Sequence, residues 1–315
     1  MHGVFLDQST LNPQDLDLSP LQRSLDTFST YDHTSNETVI EHINTAEAVI
    51  TNKVVINRNT MLACHNLKLI CVSATGTNNI DLDAARDLGI CVKNVTGYAT
   101  PSVVQHTFAL LLALTTNWHQ YHQGVKRGHW SRSPFFCLLD YPATELAGKQ
   151  LGIIGYGELG QGVARVAEAF GMRIAVAESL RRDAMPVSGR IPFDQLIAES
   201  DVITVHCPLS DETRNLIDAH VFKAMKNSAF LINVSRGDIV NESDLLAALE
   251  QEEIAGAALD VLKEEPPSVN HSLTTSSHPN LIITPHSAWV AKECRQRLVN
   301  AVAKNIEEFR LNARK

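Results

Sequence analysis

The chain has 315 residues, of which 44% are hydrophobic and 20% charged, and its formal net charge is −8 at pH 7. This length favours two domains, and the acidic balance argues against a nucleic-acid or anionic-membrane surface, which would need a basic stripe. No apolar run is long enough to span a bilayer, and the N-terminus lacks the pattern of a secretion signal. The six scattered cysteines are typical of reduced, buried thiols. We therefore expect a cytoplasmic protein without a membrane or nucleic-acid partner.

The first hundred residues alternate short apolar runs with helical patterns. Strands are predicted for VFLD, AVITN, LKLICVS and ICVKNV, and helices for ETVIEHIN and LDAARDLG. Alternation of this kind is typical of parallel β-α units in a layered α/β sheet. A long apolar helix is predicted from Pro101 to Trp118, and the aromatic, basic stretch that follows it lacks regular periodicity.

A second β-α series begins at LGIIGYG. Its first helix, ELGQGVARVAEAFG, is expected to end with Gly171 just beyond its last turn. Asn241 is expected to cap the helix in NESDLLAALEQ, and Ala291–Ala313 is predicted to form one long amphipathic helix. Further strands are predicted at RIAVAE, DVITVHC, FLINVSR, IAGAALDV and NLIITPH.

A glycine-rich turn follows the strand LGII, with Gly155, Gly157 and Gly160 opening a helix. In such a turn the first glycine makes the tight bend and the second lets the backbone approach a pyrophosphate. The third allows close packing of helix on strand. Because the helix N-terminus then faces the phosphates, this pattern predicts a dinucleotide site.

An acidic residue, Glu178, stands at the end of RIAVAE, about twenty residues beyond the glycine turn. Its carboxylate could accept both hydroxyls of an adenosine ribose and would repel a 2′-phosphate, which favours NAD. Arg181 and Arg182 follow closely, and a nearby arginine can accommodate NADP. The sequence therefore predicts NAD with that alternative left open.

These elements predict an α/β fold of two domains, each a parallel sheet flanked by helices, in which the cofactor domain is a Rossmann fold. Residues 1–95 and 288–315 are expected to form the substrate-binding domain. Residues 96–287 are expected to form the cofactor domain, so that the C-terminal helix returns to the first domain.

Three charged side chains each follow their own strand-like run: Arg236 in NVSRG, Glu265 in KEEPP and His286 in TPHSAW. Ligands bind beyond the carboxyl ends of parallel strands, and a guanidinium grips a planar carboxylate with two bonds. A histidine beside a carboxylate supplies a proton carrier with its partner. Each residue alone could be an ordinary surface or core residue. Together they fit the reversible reduction of a 2-oxo acid by a nicotinamide.

On these motifs, which with ATGTNNID, HCPLSDETRNLI and AALDV extend over nearly the whole length, the chain resembles the D-isomer-specific 2-hydroxyacid dehydrogenase family. The resemblance implies that Arg236, Glu265 and His286 are the catalytic residues. It also implies NADH-dependent reduction of hydroxypyruvate, with glyoxylate as a second substrate, in a cleft between the two domains.

The resemblance further implies which residues contact each ligand. Besides the three glycines, cofactor contacts are expected at Glu158, Leu159, Glu178, Cys207, Pro208, Thr213, Val234 and Asp260, of which the last would hold the nicotinamide carboxamide. Substrate contacts are expected at Arg236 and His286 and at the backbone amides of Ser73, Ala74, Thr75 and Gly76.

In the resembling family, the aromatic stretch over about residues 117–147 is an arm exchanged in a homodimer. Its side chains Trp130, Phe135, Phe136 and Tyr141 suit an apolar interface of that kind. A metal site at His119, His122 and His129 is not expected, because no cysteine or carboxylate stands at ligand spacing among them. His106 is expected to be a packed helix residue.

Two alternatives to this function remain. The first is the same reaction on another 2-oxo acid, or a relative of formate dehydrogenase. Such a relative has glutamine beside the histidine, where this chain has Glu265. The second is a nucleotide-sensing binding protein, like the transcriptional corepressors of the resembling family, because some of these keep the complete set of three charged residues.

Overall fold

The computed structural model describes residues 1–180 and 187–313. Contacts divide the described chain into two compact units, Met1–Ala99 with the segment from Trp289 onward, and Thr100–Ala288. The polypeptide therefore leaves the first unit once and returns to it for its last helix. Arg181 and Arg182 lie outside the described residues.

The first unit is built on a five-stranded parallel sheet with the order β2-β1-β3-β4-β5. Its central strands β3 and β4 are buried along their whole length, as expected where both faces of a parallel sheet are covered. The strands are β1 (His2–Phe5), β2 (Thr27–Thr30), β3 (Ala48–Thr51), β4 (Leu69–Val72) and β5 (Cys91–Lys93), and the helices between them are α1 (Ser19–Ser24), α2 (Val39–Ile43), α3 (Arg58–Ala63) and α4 (Leu82–Asp87).

Three elements of this unit, β2, α1 and α3, were not predicted from the sequence. Strand β2 is an edge strand of sequence TFST, and most of its residues are exposed. It therefore carries neither the apolar run nor the alternation by which strands are recognised. The predicted strands and helices of the first hundred residues are all present. Strand β1 lies two residues earlier than its predicted run VFLD, and the other elements are shorter than predicted by one or two residues at one or both ends.

The C-terminal helix, Lys292–Asn312, packs on the sheet of the first unit. Leu298, Val302 and Ile306 recur at four-residue spacing and are fully buried or nearly so. They share one core with Phe5 and Ile50 of the strands. The amphipathic pattern predicted for this segment is therefore confirmed, and its apolar face covers one side of the sheet.

The second unit is built on a six-stranded parallel sheet with the order β11-β10-β9-β8-β6-β7. All six strands lie where apolar runs predicted them. The strands are β6 (Gln150–Ile154), β7 (Arg173–Val176), β8 (Val202–Val205), β9 (Phe230–Asn233), β10 (Gly256–Leu259) and β11 (Leu281–Ile283), and the helices are α5 (Thr100–Thr116), α6 (Trp118–Lys126), α7 (Glu158–Ala169), α8 (Phe193–Glu199), α9 (Ala219–Ala224), α10 (Glu242–Glu250) and α11 (Ser272–Thr275).

The ends of two helices confirm their sequence signals. Gly171 follows α7 with φ of +74°, the left-handed conformation that favours glycine beyond a helix. The side chain of Asn241 accepts a hydrogen bond from the backbone N–H of Asp244 at 3.2 Å and so caps α10.

One prediction for this unit was wrong. The segment expected to form a single helix from Pro101 to Trp118 is two helices, α5 and α6, because Asn117 between them has φ of +51°. The Asn117 side-chain amide donates to the Pro142 carbonyl at 2.7 Å and holds this break. The stretch expected to lack periodicity is thus helical as far as Lys126.

Within residues 1–180 and 187–313, no helix combines the length and the apolar character that crossing a bilayer requires.

Candidate active site

The predicted cofactor and catalytic residues of the second unit all follow the carboxyl ends of its strands. Across the sheet the order is His286 after β11, Asp260 and Glu265 after β10, Val234 and Arg236 after β9, Cys207 after β8, the glycine turn after β6 and Glu178 after β7. Since neighbouring strands lie about 4.8 Å apart, this line is about 24 Å long. Chain order reverses at β6, which pairs with both β7 and β8, and dinucleotides bind at such a switch point.

The glycine turn after β6 has the geometry that its motif predicts. Gly155 has φ of +95°, and a Cβ there would lie 2.4 Å from the backbone nitrogen of Cys207. A Cβ on Gly160 would lie 2.3 Å from the Gly155 carbonyl oxygen, whereas one on Gly157 would meet nothing within 4 Å. The first and third glycines therefore serve the fold, and the second borders open space at the N-terminus of α7, where a pyrophosphate fits.

The first residue of α7, Glu158, puts a carboxylate near this turn. Its Oε1 accepts a hydrogen bond from the Thr100 hydroxyl at 2.6 Å, so the carboxylate is held toward the start of α5. Leu159, the next residue, is half-buried.

At the far end of the line of strand ends, Glu178 is exposed and its backbone N–H donates to the Ile191 carbonyl at 2.9 Å. Its carboxylate is thus accessible beyond β7.

The loop after β8 is closed by its own side chains. The Thr213 hydroxyl donates to the Pro208 carbonyl at 2.8 Å and accepts from the Ser210 backbone N–H at 2.7 Å. Cys207 is buried, and burial raises the pKa of its thiol to about 11, so the side chain is uncharged at neutral pH. The Ser235 hydroxyl donates to the Cys207 carbonyl, which ties this loop to the one after β9.

Arg236 stands in a turn that Asn233 closes. Asn233 is fully buried, its Nδ2 donates to the Arg236 carbonyl at 2.8 Å, and its Oδ1 accepts from the Ser235 backbone N–H at 3.0 Å. The guanidinium donates from Nη1 to the Ser235 carbonyl at 2.7 Å. A Cβ on Gly237 would lie 2.0 Å from the carbonyl carbon of Leu262. Only glycine therefore lets this turn pack against the loop after β10.

Glu265 and His286 form a hydrogen-bonded pair. The distance from His286 Nδ1 to Glu265 Oε2 is 2.7 Å, and Glu265 Oε1 accepts from the Leu262 backbone N–H at 3.0 Å. The two side chains are 35% and 30% exposed. Since Nδ1 is engaged by the carboxylate, Nε2 is the nitrogen through which His286 can reach a ligand.

The backbone of His286 has a strained conformation that Asp260 holds in place. His286 has φ of +51°, uncommon for a residue with a side chain, and its N–H donates to the Asp260 carbonyl at 2.7 Å. The Asp260 carboxylate is 1% exposed and accepts from the Thr284 hydroxyl at 2.5 Å and from the backbone N–H groups of Ser287 and Ala288 at 2.8 and 2.9 Å. The carboxylate thus fixes the turn that carries His286.

The charge of Asp260 follows from the same contacts. Burial alone would raise the pKa of this carboxyl, but hydrogen bonds from His106, Thr284 and the two amides outweigh burial, and the pKa lies below its usual value. Asp260 is therefore ionised at neutral pH. Both of its oxygens already accept hydrogen bonds within the chain. The cofactor contact expected from the sequence would come in addition to these.

A cavity of about 330 Å³ lies beside the Glu265–His286 pair. Its lining includes these two residues, Asp260, Pro266, Pro267 and Ile283. The cavity thus combines apolar walls with a few charged groups, as small-molecule sites do, and its volume is at the lower end of their range.

In the first unit, the turn expected to bind a substrate carboxylate follows β4. The Ser73 N–H donates to the Thr51 carbonyl at 2.8 Å, so this amide is not available to a ligand, which corrects the prediction for Ser73. The amides of Ala74, Thr75 and Gly76 donate to no acceptor within the described chain. Among the same residues the Ser73 hydroxyl is buried without a hydrogen-bond partner.

Sequence reasoning missed two polar side chains of the site. One is Asn233. Its only sequence signal is that a polar residue ends the otherwise apolar strand β9. The other is His106, expected to be merely packed. Its Nε2 lies 3.0 Å from the Thr284 hydroxyl and 3.3 Å from Asp260 Oδ1. His106 is thus a side chain of α5 that reaches both Thr284 and Asp260.

The histidines of α6 were considered as metal ligands. His119 and His122 lie three residues apart on this helix. In the part of the chain that the structure describes, no group of three or more His, Cys, Asp or Glu side chains is placed to hold a metal ion.

Comparison with known proteins identifies the family. The model of the D-isomer specific 2-hydroxyacid dehydrogenase NAD-binding domain matches residues 108–288. A glycerate dehydrogenase of Methylorubrum extorquens is 40% identical over 306 residues, which cover 97% of this chain and 95% of that protein. A hydroxypyruvate reductase of Blautia hydrogenotrophica is 39% identical over 314 residues, covering 98% and 97%.

A solved nicotinamide-dependent dehydrogenase has a similar fold. The structure resembles NAD-dependent formate dehydrogenase from Staphylococcus aureus in complex with NAD, with a TM-score of 0.82, 29% identity and 99% and 96% of the two chains covered. The chain therefore belongs to the D-isomer specific 2-hydroxyacid dehydrogenase family, as its motifs predicted. It is an oxidoreductase that uses a nicotinamide cofactor on a small 2-hydroxy or 2-oxo acid.

The three glycines of the turn should respond differently to alanine. Gly155→Ala and Gly160→Ala should each lower the free energy of unfolding by about 1–3 kcal/mol, because their Cβ atoms would overlap backbone atoms. Gly157→Ala should leave urea unfolding unchanged and weaken NADH binding, since its Cβ would project toward the pyrophosphate. Urea titration and isothermal calorimetry measure the two effects. Equal destabilisation by all three substitutions would contradict this division.

Proposed function

We propose that this enzyme reduces hydroxypyruvate with NADH to D-glycerate, reversibly, and glyoxylate to glycolate as a second reaction. The observation that carries the proposal is the 2.7 Å hydrogen bond between Glu265 and His286, which follow β10 and β11 at the same sheet edge as Arg236 after β9. The names of two relatives, a glycerate dehydrogenase and a hydroxypyruvate reductase, support hydroxypyruvate and glycerate as substrate and product.

In the proposed reaction each charged residue has a separate task. When bound, a nicotinamide would supply the hydride that adds to C2 of the oxo acid. His286 in its protonated form delivers a proton from Nε2 to the oxygen that becomes the alkoxide. Glu265 stabilises the imidazolium and orients its ring through Nδ1. Arg236 exchanges its bond to the Ser235 carbonyl for two bonds to the substrate carboxylate and polarises the carbonyl group.

We assign the substrate-binding role to residues 1–95 and 288–315 and the cofactor role to residues 96–287. Support for the first assignment comes from the amides of Ala74, Thr75 and Gly76, which donate to no acceptor in the described chain and suit a carboxylate. Support for the second comes from the glycine turn and the family model over residues 108–288.

A cytoplasmic location is part of the proposal. All six cysteines are free thiols, which is the form kept by the reducing cytoplasm.

The direct test is the loss of NADH absorbance with a panel of 2-oxo acids. Hydroxypyruvate should give the highest kcat/KM, followed by glyoxylate, with pyruvate and formate (the latter with NAD) as comparison substrates. A higher kcat/KM for another 2-oxo acid would replace the proposed substrate. Tight NADH binding without turnover on any of them would favour the nucleotide-sensing alternative.

Cofactor choice should be NADH over NADPH, because the exposed carboxylate of Glu178 would repel a 2′-phosphate. Glu178→Gln should narrow the ratio of kcat/KM values for the two cofactors, since the repulsion is removed while the shape is kept. Glu168→Gln, an exposed position on α7, is the matched control and should leave the ratio unchanged. An equal or higher kcat/KM with NADPH in the parent enzyme would contradict the assignment and direct attention to Arg181 and Arg182.

We also propose a homodimer in which the arm, about residues 117–147, contacts the partner. Trp130, Phe135 and Phe136 are 52%, 73% and 91% exposed, an unusual amount of aromatic surface to leave in water. A groove of about 650 Å³ between α5 and α7 adds a second apolar surface to the same unit.

Light scattering should give twice the chain mass of 34.6 kDa. The double variant Phe135→Ser with Phe136→Ser should dissociate, because it removes the apolar arm surface. Val269→Ser, 92% exposed and outside the arm, should not. A parent enzyme with the mass of one chain would refute the dimer, and a dimeric double variant would reject the arm as its cause.

Arg236→Lys should fail to restore activity although the charge is kept. A lysine is a point charge and cannot reproduce the planar two-bond grip on a carboxylate. We expect a loss of about 100-fold or more in kcat/KM, given the sensitivity of catalysis to orientation. Steady-state kinetics with hydroxypyruvate measures it, and turnover near that of the parent would show that Arg236 does not bind the substrate carboxylate.

Glu265→Gln should move the pH profile of reduction toward acid. Reduction needs a protonated His286, so its rate falls as pH rises. Without the carboxylate charge 2.7 Å away the imidazolium is less stable, and the fall begins at lower pH. His286→Ala should instead lower kcat at every pH, because the proton donor is absent. A glutamine variant whose pH profile overlays that of the parent would show that the pairing has no role in proton transfer.

A further inference from the structure

The loop that carries Glu265 is held at both ends by one carboxylate on a neighbouring helix. Glu242 is the first residue of α10. Its Oε1 accepts from the Lys263 backbone N–H at 2.8 Å, and its Oε2 lies 3.1 Å from Nε2 of His271. Lys263 precedes Glu265 by two residues and His271 follows it by six. A single side chain therefore contacts both ends of the segment that carries Glu265.

The contact between Glu242 and His271 is largely removed from water. Their side chains are 16% and 11% exposed. Nδ1 of His271 is buried and has no hydrogen-bond partner among residues 1–180 and 187–313. Because a carboxylate can only accept, Nε2 must carry the hydrogen that joins the two side chains. The imidazole ring of His271 thus makes its hydrogen bond to Glu242, and its other nitrogen makes none within the described part of the chain.

The two carboxylates of this region accept adjacent backbone amides. The Leu262 N–H donates to Glu265 Oε1 at 3.0 Å, and the next N–H, that of Lys263, donates to Glu242 Oε1. A shift of Lys263 would therefore turn the peptide group that orients Glu265. Glu265 in turn reaches His286 through its other oxygen, so the path from Glu242 to His286 consists of three hydrogen bonds and the backbone between Leu262 and Lys263.

The anchor itself is fixed. Asn241 caps α10, and its backbone N–H donates to the Ile217 carbonyl at 2.9 Å. A few residues earlier, Gly237 lies so close to Leu262 that no side chain fits between them. The start of α10 therefore presents a rigid surface to the loop after β10.

We propose that Glu242 and His271 are a positioning pair that holds Glu265 in hydrogen-bonding geometry with His286. Neither residue touches the reacting atoms. The inference rests on the proposed role of Glu265, and it adds that the pair sets how strongly this carboxylate supports the imidazolium.

The test compares Glu242→Ala with Glu242→Gln, which keeps an oxygen that can accept the Lys263 amide. The alanine variant should lose about 10- to 100-fold in kcat, the size expected for a displaced catalytic group, with KM for NADH unchanged. Its pH profile of reduction should move toward acid, as that of Glu265→Gln does. The glutamine variant should recover most of the activity. Glu250→Ala, an exposed carboxylate at the end of the same helix, should match the parent.

Hydrogen–deuterium exchange of the cofactor-free protein gives a readout that does not depend on turnover. Amides over residues 262–271 should exchange faster in Glu242→Ala and in His271→Ala, with the sheet unaffected. A pH profile that overlays that of the parent, or unchanged exchange in this segment, would overturn the proposal. If Glu242→Ala does not fold, His271→Ala supplies both measurements. A third outcome separates the two proposals. If Glu265→Gln leaves the pH profile of reduction unmoved while residues 262–271 exchange faster in Glu242→Ala, the proposed role of Glu265 fails, and the contact of Glu242 with this loop is still shown to hold it in place.

Discussion

The geometry of the candidate site depends on the buried carboxylate of Asp260. It lies at the end of β10, and the turn after β11 is wrapped around it through the Thr284 hydroxyl and two backbone amides. His286 needs this support because its left-handed backbone is costly for a residue with a side chain. Hydrogen bonds outweigh the effect of burial and keep the pKa of Asp260 below its usual value. The charge that orders the turn is therefore present throughout the neutral range and would be lost only as pH falls through that lowered pKa.

A second constraint is the close packing between the turn after β9 and the loop after β10. Arg236 and Gly237 are adjacent, and the absence of a Cβ on Gly237 lets the turn rest directly on Leu262. The segment that begins with Arg236 continues to Glu242, whose carboxylate accepts a hydrogen bond from the backbone N–H of Lys263, the residue after Leu262. One stretch of chain thus presents the guanidinium and sets the loop of Glu265. The distance between Arg236 and Glu265 is thus set by backbone packing and by the Glu242 carboxylate, without a contact between their own side chains.

The sequence predicted most of the strands and the identity of the charged residues, because both signals are local. The run FLINVSR, for instance, predicts a buried strand followed by an arginine. Parallel topology then brings that arginine to the sheet edge where Glu265 and His286 also lie. The edge strand β2 was missed because it has neither an apolar run nor an alternating pattern. Helix α6 was missed because it is short, with nine residues, and only Trp118, Tyr121 and Val125 mark its apolar side. The contacts of Asp260, Asn233 and Glu242 could not be foreseen. They join residues whose proximity is set by packing between loops, and no spacing along the chain encodes it.

Charge along the carboxyl edge of the second sheet is arranged in a way that suits a dinucleotide. Glu178 stands at one end, and Arg236, Glu265 and His286 stand toward the other. Between them the two side chains directly after β8 are uncharged at neutral pH, because burial lowers the pKa of His206 to about 4 and raises that of Cys207 to about 11. Negative phosphates in the middle would then face the glycine turn and the N-terminus of α7, whose free N–H groups favour anions. The Glu158 carboxylate at the same helix end is held toward the start of α5 by the Thr100 hydroxyl. In the proposed function, the carboxylate that would discriminate between cofactors and the histidine that would transfer the proton therefore stand toward opposite ends of one line.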